Sequence, residues 1–449
     1  VGGGWAGLSA AVWCQSIGLS ATLFEAAAHC GGRAKSVRLA LAGRSLTVDN
    51  GQHLLMGAYR DTVALVDLVT ENSPSNGLER VPFSLASTEG WQLGRAPLPA
   101  PLHLAWGLLT AKGIAWRDRW QLVGCLRGLQ SRHWQVDPGM TVREWTQSVR
   151  ASAWLTQRLW DPLCVATLNT DPVEACAQTF AHVLRDSLGA NDEAIEPLFV
   201  SKTLHEVLPE PALAWLQGHG ASVQTSTIVR ALEPESGGWK LTTAAGTHHF
   251  DQVILALPPR QVSRLLEPWA PACSWLGQFS MRPIASVYLA WEIDRAPALP
   301  QWIMLQERIE REHYGQWLFR RDCQQGLQLG CVVISAAGRA SSLDRATLTQ
   351  RIIEQLGEQM GWAAGTGSVM PIDAAVVTDR EATFACTPLR PKPQVDGLQT
   401  ALAQIGCPSA DRLWIAGDFV WPEYPATLEA AVRSGKLAAI QAHHRSQRA

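Results

Sequence analysis

Apolar residues first recur at helical spacing in Leu8, Ala11, Val12 and Ile17, which share one face, and Gly18 stands where that helix can end. A short strand follows, Ala21-Thr22-Leu23-Phe24-Glu25, and closes on an acid. Residues 35–48 alternate as in a hairpin, with Ser36-Val37-Arg38-Leu39 against Leu46-Thr47-Val48, and Asp49-Asn50-Gly51-Gln52-His53 ends it. The pattern then predicts a helix from Arg60 to Val69. Residues 72–101 change to loop chemistry around short strands, as in Ser73-Pro74-Ser75-Asn76-Gly77 and Arg95-Ala96-Pro97-Leu98-Pro99-Ala100-Pro101. Leu102 to Trp134 reads as helical. Thr141-Val142-Arg143-Glu144-Trp145 starts another helix, and helices continue to about Gly189. Residues 205–217 form one more, ending at Gly218-His219-Gly220.

From 221 the texture turns to strands. Ala221–Gln224, Ile228–Leu232, Trp239–Thr242 and His248–Phe250 read as a meander. It delivers Val253-Ile254-Leu255-Ala256-Leu257, an apolar run stopped by Pro258 and Pro259, as expected of a buried parallel strand. Further strands are predicted at 285–291, 317–319 and 330–335, and a helix from Leu343 to Met360. Arg412–Asp418 reads as a second buried strand. Pro425, Thr427 and Glu429 mark the start of a final helix, within which Gly435 is tolerated.

This order gives the glycines before the first helix a meaning. Gly2, Gly4 and Gly7, in Val1-Gly2-Gly3-Gly4-Trp5-Ala6-Gly7, spell G-x-G-x-x-G. Helix, strand and acid follow in register, as in a nucleotide-binding β-α-β unit. Gly2 permits the tight turn, Gly4 lets backbone approach a pyrophosphate, and Gly7 lets helix and strand pack closely. The helix N-terminus offers free N–H groups and a positive dipole end to phosphate. Glu25 can accept both hydroxyls of an adenosine ribose. The chain opens without Met at what would be the end of the central strand, so that strand is expected to be truncated. Gly31-Gly32-Arg33 places backbone N–H groups and a guanidinium beside phosphate. Gly51 is a close-approach point for a flat ligand. At the far end, Gly417-Asp418 closes a buried strand, and the N–H groups near Thr427 and Leu428 can donate to a flavin pyrimidine edge. Two anchors of this kind indicate FAD. The candidate cofactor set is Gly2, Gly4, Trp5, Ala6, Gly7, Glu25, Arg33, Gly51, Gln52, Val229, Gly417, Asp418, Thr427 and Leu428.

The totals narrow the function. Lys plus Arg number 38 against 40 Asp plus Glu, so no basic excess points to nucleic acid. The ten cysteines form no C-x-x-C and no zinc-like cluster with His, which suits buried thiols in a reducing cytoplasm and predicts no metal. His248 and His249 are adjacent on an alternating strand and point to opposite faces. No run of 18 apolar residues predicts a transmembrane helix. Twenty tryptophans against four tyrosines fit an apolar cavity, a membrane interface or a Trp-rich core. Within Leu102–Trp134, Trp106, Trp116 and Trp120 interleave with Lys112, Arg117, Arg119, Arg127 and Arg132. That suits a membrane surface. Asp118 and the Pro-rich lead-in favour the other reading, a core helix pair with a solvated basic edge.

The opening motif, Gly31-Gly32-Arg33, the Val253–Pro259 strand and the Gly417–Gly435 segment together resemble the flavin amine oxidase and phytoene desaturase superfamily. Val48-Asp49-Asn50-Gly51-Gln52-His53-Leu54-Leu55-Met56-Gly57-Ala58-Tyr59-Arg60 is similar to FAD-dependent hydroxysqualene dehydroxylases, also called squalene-associated FAD-dependent desaturases. So are Trp160-Asp161-Pro162-Leu163 with Leu168-Asn169-Thr170, and Tyr424-Pro425-Ala426-Thr427-Leu428-Glu429. The resemblance implies an α/β fold in which an FAD-binding Rossmann-like domain (1–70, 205–265, 400–449) is interleaved with a mixed α+β substrate domain (71–204, 266–399). It implies reductive removal of a hydroxyl from an apolar C30 isoprenoid, squalene-synthase-like enzymes as partners, and a cytoplasmic site with peripheral contact at the inner membrane. Ala430 departs from the superfamily, which often has Gly there. The chemistry needs one proton donor, for which His53, Glu423, Tyr424 and Asp49 are the candidates. With one nucleotide motif and not two, the reductant must act at the flavin face or be a partner protein. The rivals are an oxidative polyene desaturase, an amine oxidase, and a flavoprotein that only presents an isoprenoid. Thr427 stands where amine oxidases usually carry an aromatic side chain, which argues against amines.

Overall fold

The computed structural model describes residues 1–94, 102–188, 194–362, 369–393 and 395–448. Its nucleotide side is built from α1 (Trp5–Ser16), β1 (Thr22–Phe24), β2 (Ser222–Gln224), β3 (Val253–Leu255), β4 (Leu413–Ile415) and α2 (Leu428–Ser446). β1 pairs in parallel with β2, and β3 in parallel with β4. Val1 and Gly2 lie between the two pairs. Val1 N donates to Ile254 O at 2.7 Å, Ala256 N to Val1 O at 2.8 Å, and Gly2 N to Phe24 O at 2.8 Å. The order is therefore β2, β1, Val1–Gly2, β3, β4, and two residues occupy the place of the central strand.

This order corrects the expected meander. Ala221–Gln224 supplies β2 to the parallel sheet, and Ile228 to Arg230 form no strand. The meander consists of Ala231–Glu235, Gly238–Thr243 and Gly246–Phe250. Alternation identifies a strand but not its partner. Here the apolar Leu23 and Phe24 of β1 recruit Ser222–Gln224.

The two long helices of the sheet meet backbone to backbone. Ser9 Oγ of α1 donates to Val432 O of α2 at 2.8 Å. A methyl group on Gly435 would overlap Ala6 O, and one on Gly7 would overlap Gly2 O. Glycine at these two positions is thus a packing requirement. Glu429, buried at the start of α2, accepts from Asp61 N, Thr62 N and Thr62 Oγ1 at 3.1, 2.9 and 2.8 Å. It thereby holds the first turn of the helix Arg60–Val69.

A five-stranded antiparallel sheet stands beside this unit. Its order is Trp302–Met304, Trp317–Gln324, Leu327–Ile334, Met281–Glu292 and Asp373–Phe384. The helix Arg345–Gln359 covers one face, with Leu348, Ile352 and Leu356 against Val287, Leu289 and Val332. The first and last strands are absent from the sequence expectation. Asp373–Phe384 carries Asp373, Asp379, Arg380 and Glu381, charges that an edge strand tolerates and that hide its period. The hairpin Ser36–Leu41 and Arg44–Asp49 turns through Ala42 and Gly43, both at positive φ (50° and 71°), and docks on this sheet. Arg44 reaches Glu292 at 3.1 Å, and Thr47 O accepts from Gln324 Nε2 at 2.9 Å.

The helical segment is broken where a single span was expected. Leu102–Thr110 and Trp116–Ser131 are separated by a turn at Gly113 (φ 65°), beside which Lys112 exchanges backbone bonds with Gln92. The buried face of Trp116–Ser131 is Leu122, Cys125 and Leu129. The pair thus packs on the core with a solvated basic edge, but Trp106, Trp116 and Trp120 fall outside the buried face and are exposed. Further on, Thr141 and Glu144 form a reciprocal cap. Trp145, Trp160 and Phe180 then pack edge to face at 5.3–6.2 Å. The Arg95–Pro101 loop and the helix end at Gly189 lie outside the described residues.

Replacing Gly435 by Val is expected to destabilise the protein by about 1–3 kcal/mol through overpacking. Gly124, on an exposed helix with open space at its Cβ, should gain about 0.5–1 kcal/mol on replacement by Ala. Urea titrations of the two variants measure both signs, with unchanged m-values.

Candidate active site

Three chain segments converge to form a cradle. Gly4 precedes α1 without a side-chain cap, and the first intrahelical bond is Leu8 N to Gly4 O at 2.9 Å. The N–H groups of Trp5, Ala6 and Gly7 therefore face outward from the helix end, as phosphate binding requires. The Gly31-Gly32-Arg33 loop lies against them through Gly31 N to Gly3 O at 2.9 Å. A Cβ on Gly32 would stand 3.0 Å from Gly4 Cα, so glycine there lets this loop close on the turn that opens α1. Glu25 is held at the tip of β1, its two carboxylate oxygens accepting from Gly3 N at 2.6 Å and Ala27 N at 2.7 Å. The chain around 224–229 passes alongside it, with Thr227 N donating to Glu25 O at 2.8 Å and buried Val229 two residues on.

The second anchor meets the first directly. Arg33 Nη2 donates to Asp418 Oδ1 at 2.6 Å, and Arg33 Nη1 to Ala382 O at 3.0 Å. The guanidinium expected on phosphate and the carboxylate expected on ribityl or phosphate-linked hydroxyls thus form one ion pair across the cradle. Gly417 N donates to Ser434 Oγ at 2.8 Å, which fixes the Gly417-Asp418 turn on α2. Thr427 caps α2, its Oγ1 accepting from Ala430 N at 3.1 Å. The Leu428 N–H remains at the open helix end.

Beside Asn50, whose Nδ2 donates to Arg33 O at 2.6 Å, runs Gly51-Gln52-His53. A Cβ on Gly51 would lie 3.9 Å from His53 Nε2 and 4.0 Å from Ser286 Oγ. Gln52 Oε1, Ser286 Oγ and Arg321 Nη1 are buried here without a hydrogen-bond partner. Buried polar atoms left open in this way suit ligand contacts. These observations fit a flavin dinucleotide along the cradle, with its ring system near Gly51 and α2.

The four candidate proton donors separate into two places. Asp49 is committed as an acceptor: Oδ1 takes Ser36 Oγ at 3.1 Å and Leu204 N at 2.9 Å, and Oδ2 faces Arg321 Nη2 at 3.5 Å. Its backbone O accepts from Tyr288 OH at 2.6 Å. Burial pushes the Asp49 carboxyl above its usual range, and the Arg321 charge, the Leu204 N–H and the Ser36 hydroxyl offset part of that rise, so its bonds order the loop. Burial, and then the Arg321 charge, lower His53 to about 4, so its imidazole is neutral at pH 7. Glu423 is exposed and pairs with Arg185 at 3.2 Å. Tyr424 donates to Asp186 and accepts from Arg433 Nη1, the latter at 2.9 Å. Burial and the Asp186 bond push its phenol up, so it keeps its proton at neutral pH. Asp186, Arg321, Arg433 and Glu429 were missed from the sequence. Only Glu429 carried a signal, at the end of Tyr424–Glu429.

The pattern of the flavin containing amine oxidoreductase family matches residues 5–443. The chain belongs to that family. It is an FAD-dependent oxidoreductase of mixed α/β fold. It is similar to the hydroxysqualene dehydroxylase of Sinorhizobium fredii, 29% identical over 465 residues that cover 98% of this chain and 96% of the relative. The hydroxysqualene dehydroxylase of Rhodopseudomonas palustris is 29% identical over 452 residues, with the same coverage. Among solved structures, cyclohexylamine oxidase from Brevibacterium oxydans shares the fold with a TM-score of 0.65 at 16% identity, covering 99% of this chain and 98% of its own. Among the described residues no helix is long and apolar enough to cross a membrane, and no His/Cys/Asp/Glu group could hold a metal.

Two outcomes follow from the cradle. Asp418→Ala should lower FAD affinity at least about tenfold, the scale of one charge-assisted hydrogen bond, in equilibrium dialysis. The folded protein keeps His53 neutral while the free side chain titrates near 6.5, so His53 contributes a loss of stability as pH falls from about 6.5 through about 4. Arg321→Met should raise the His53 titration point in imidazole NMR spectra, and His53→Gln should flatten that part of the pH–stability curve.

Proposed function

We propose that the protein removes the hydroxyl of hydroxysqualene, or a closely similar C30 allylic alcohol, to give the polyene. The observation that carries this reading is the near-complete match in length to two hydroxysqualene dehydroxylases, joined to a flavin cradle with Thr427 in place of an aromatic side chain. An FAD domain of 1–70, 205–265 and 400–449 and a substrate domain of 71–204 and 266–399 fit that reading. When bound in its reduced form, FAD supplies the hydride that replaces the hydroxyl.

The protein residues do the rest. The cradle aligns the donor, and the reaction requires that water, which would otherwise capture the allylic cation, be kept from it. Loss of the hydroxyl as water consumes one proton. We assign that proton to Tyr424 Oη, three residues before the Thr427 cap; its delivery breaks the Tyr424 O–H bond and the hydrogen bond to Asp186, and Arg433 then carries the phenolate charge. Asp186 and Arg433 hold the phenol in place. Asp49 is engaged as an acceptor, Glu423 is exposed, and His53 is neutral.

Anaerobic incubation of the photoreduced enzyme with hydroxysqualene, followed by mass spectrometry, should show squalene and one flavin oxidised per turnover. A dehydrogenated polyene from the oxidised enzyme would point to a desaturase. Flavin that stays reduced with no product would leave only an isoprenoid-presenting role. Tyr424→Phe should retain FAD and lower kcat by about 10²-fold or more, the usual contribution of a general acid.

A further inference from the structure

The helices Leu102–Thr110 and Trp116–Ser131 carry an apolar surface that the cofactor cradle does not use. Trp106, Leu109, Trp116 and Trp120 are 52%, 54%, 56% and 68% exposed. The three tryptophans are the exposed ones among the described residues, while Trp91, Trp160, Trp239 and Trp291 are fully buried. Trp116 and Trp120 are four apart on one helix face, and Trp106 and Leu109 three apart on the other.

Arg119 joins the two pairs. Its guanidinium closes the end of the first helix, donating to Leu108 O and Leu109 O at 2.9 and 2.8 Å, and its Nε donates to Ile114 O at 2.9 Å. The same group lies 4.5 Å from the centre of the Trp116 ring. This fixed tip presents its aromatic rings to the outside without collapsing them onto one another.

The exposed charge on the two helices and the turn between them has one sign, and Glu89, beside the Gly113 turn, is paired with Arg158. Lys112, Arg117 and Arg127 are exposed. The one acid between Leu102 and Trp134 is Asp118, which is buried and accepts from Ser152 Oγ at 2.6 Å. A chain of formal net charge −2 thus shows a basic, tryptophan-rich tip. Indole rings favour the bilayer interface, where an apolar body meets hydrated headgroups, and basic side chains favour anionic phosphate there.

We propose that this two-helix tip docks on an anionic phospholipid bilayer, with Trp106, Leu109, Trp116 and Trp120 at headgroup depth and Lys112, Arg117 and Arg127 on lipid phosphates. The surface stands on its own geometry and does not depend on the dehydroxylation reading.

Co-sedimentation of the FAD-loaded protein with large vesicles tests it. Wild type should bind phosphatidylcholine vesicles containing phosphatidylglycerol, bind pure phosphatidylcholine less, and lose binding as salt rises. Trp116→Glu/Trp120→Glu should weaken binding at least about tenfold, with flavin content and circular dichroism unchanged. Arg117→Glu should remove the preference for anionic lipid by about fivefold or more while leaving the aromatic residues in place, and it serves as the test should the double variant fold poorly. Equal sedimentation of wild type and both variants overturns the proposal. So does a wild-type dimer in analytical ultracentrifugation that the double variant abolishes, with no vesicle binding; the tip would then be a contact between copies of this chain.

Discussion

The backbone contact between α1 and α2 is the constraint on which the cofactor site depends. Two helix ends must face one ligand from opposite sides, and they come from opposite ends of the chain. Gly435 lets α2 approach until its surface touches Ala6 O, and Ser9 bonds across the contact to Val432. A larger residue at this crossing would push the helices apart, and the uncapped N–H groups of Trp5–Gly7 and Leu428 would no longer address one molecule. Ala430, fully buried near the same contact, fills space where the superfamily often has Gly. The departure adds a methyl group to the packing without closing the helix end.

Charge placement reinforces this geometry. Arg33 and Asp418 come from loops 385 residues apart and meet at 2.6 Å. An ion pair with one buried partner is weak as a source of stability, because desolvation offsets much of the attraction. As a means of fixing two loops in register it is effective, and its donors and acceptors can be redistributed to phosphate and hydroxyl groups. Glu429 acts differently. Its buried carboxylate takes three donors from the first turn of Arg60–Val69 and so ties α2 to a neighbouring helix. Asp49 likewise takes three donors. Acids of this kind build the site, while the phenol of Tyr424 is held between Asp186 and Arg433.

The tryptophans divide by environment. Trp145 and Trp160 pack with Phe180 in the helical core, where edge-to-face contact adds to the burial of area. Trp106, Trp116 and Trp120 use the same side chain at the surface. A single composition figure therefore concealed two environments, and the helical period alone could not separate them.

The glycine motif, Glu25, the buried parallel strands and the capped final helix were legible in the sequence because each is a local rule. A φ value, a cap or a run of apolar residues is satisfied within a few positions. The family resemblance extended that reading to FAD. The partner of Ser222–Gln224, the edge strand Asp373–Phe384 and the Arg33–Asp418, Asp49–Arg321 and Tyr424–Asp186 pairs were not legible. They join residues far apart in the chain, and side-chain type does not encode which distant group will arrive. The sequence by itself determined that Gly2–Gly7 forms a tight glycine turn into a helix, because Gly2 takes positive φ and Gly7 has no room for a side chain. Tertiary structure alone decided which strands flank Val1 and Gly2, because hydrogen bonds to Phe24, Ile254 and Ala256 exist only once those strands have assembled around them.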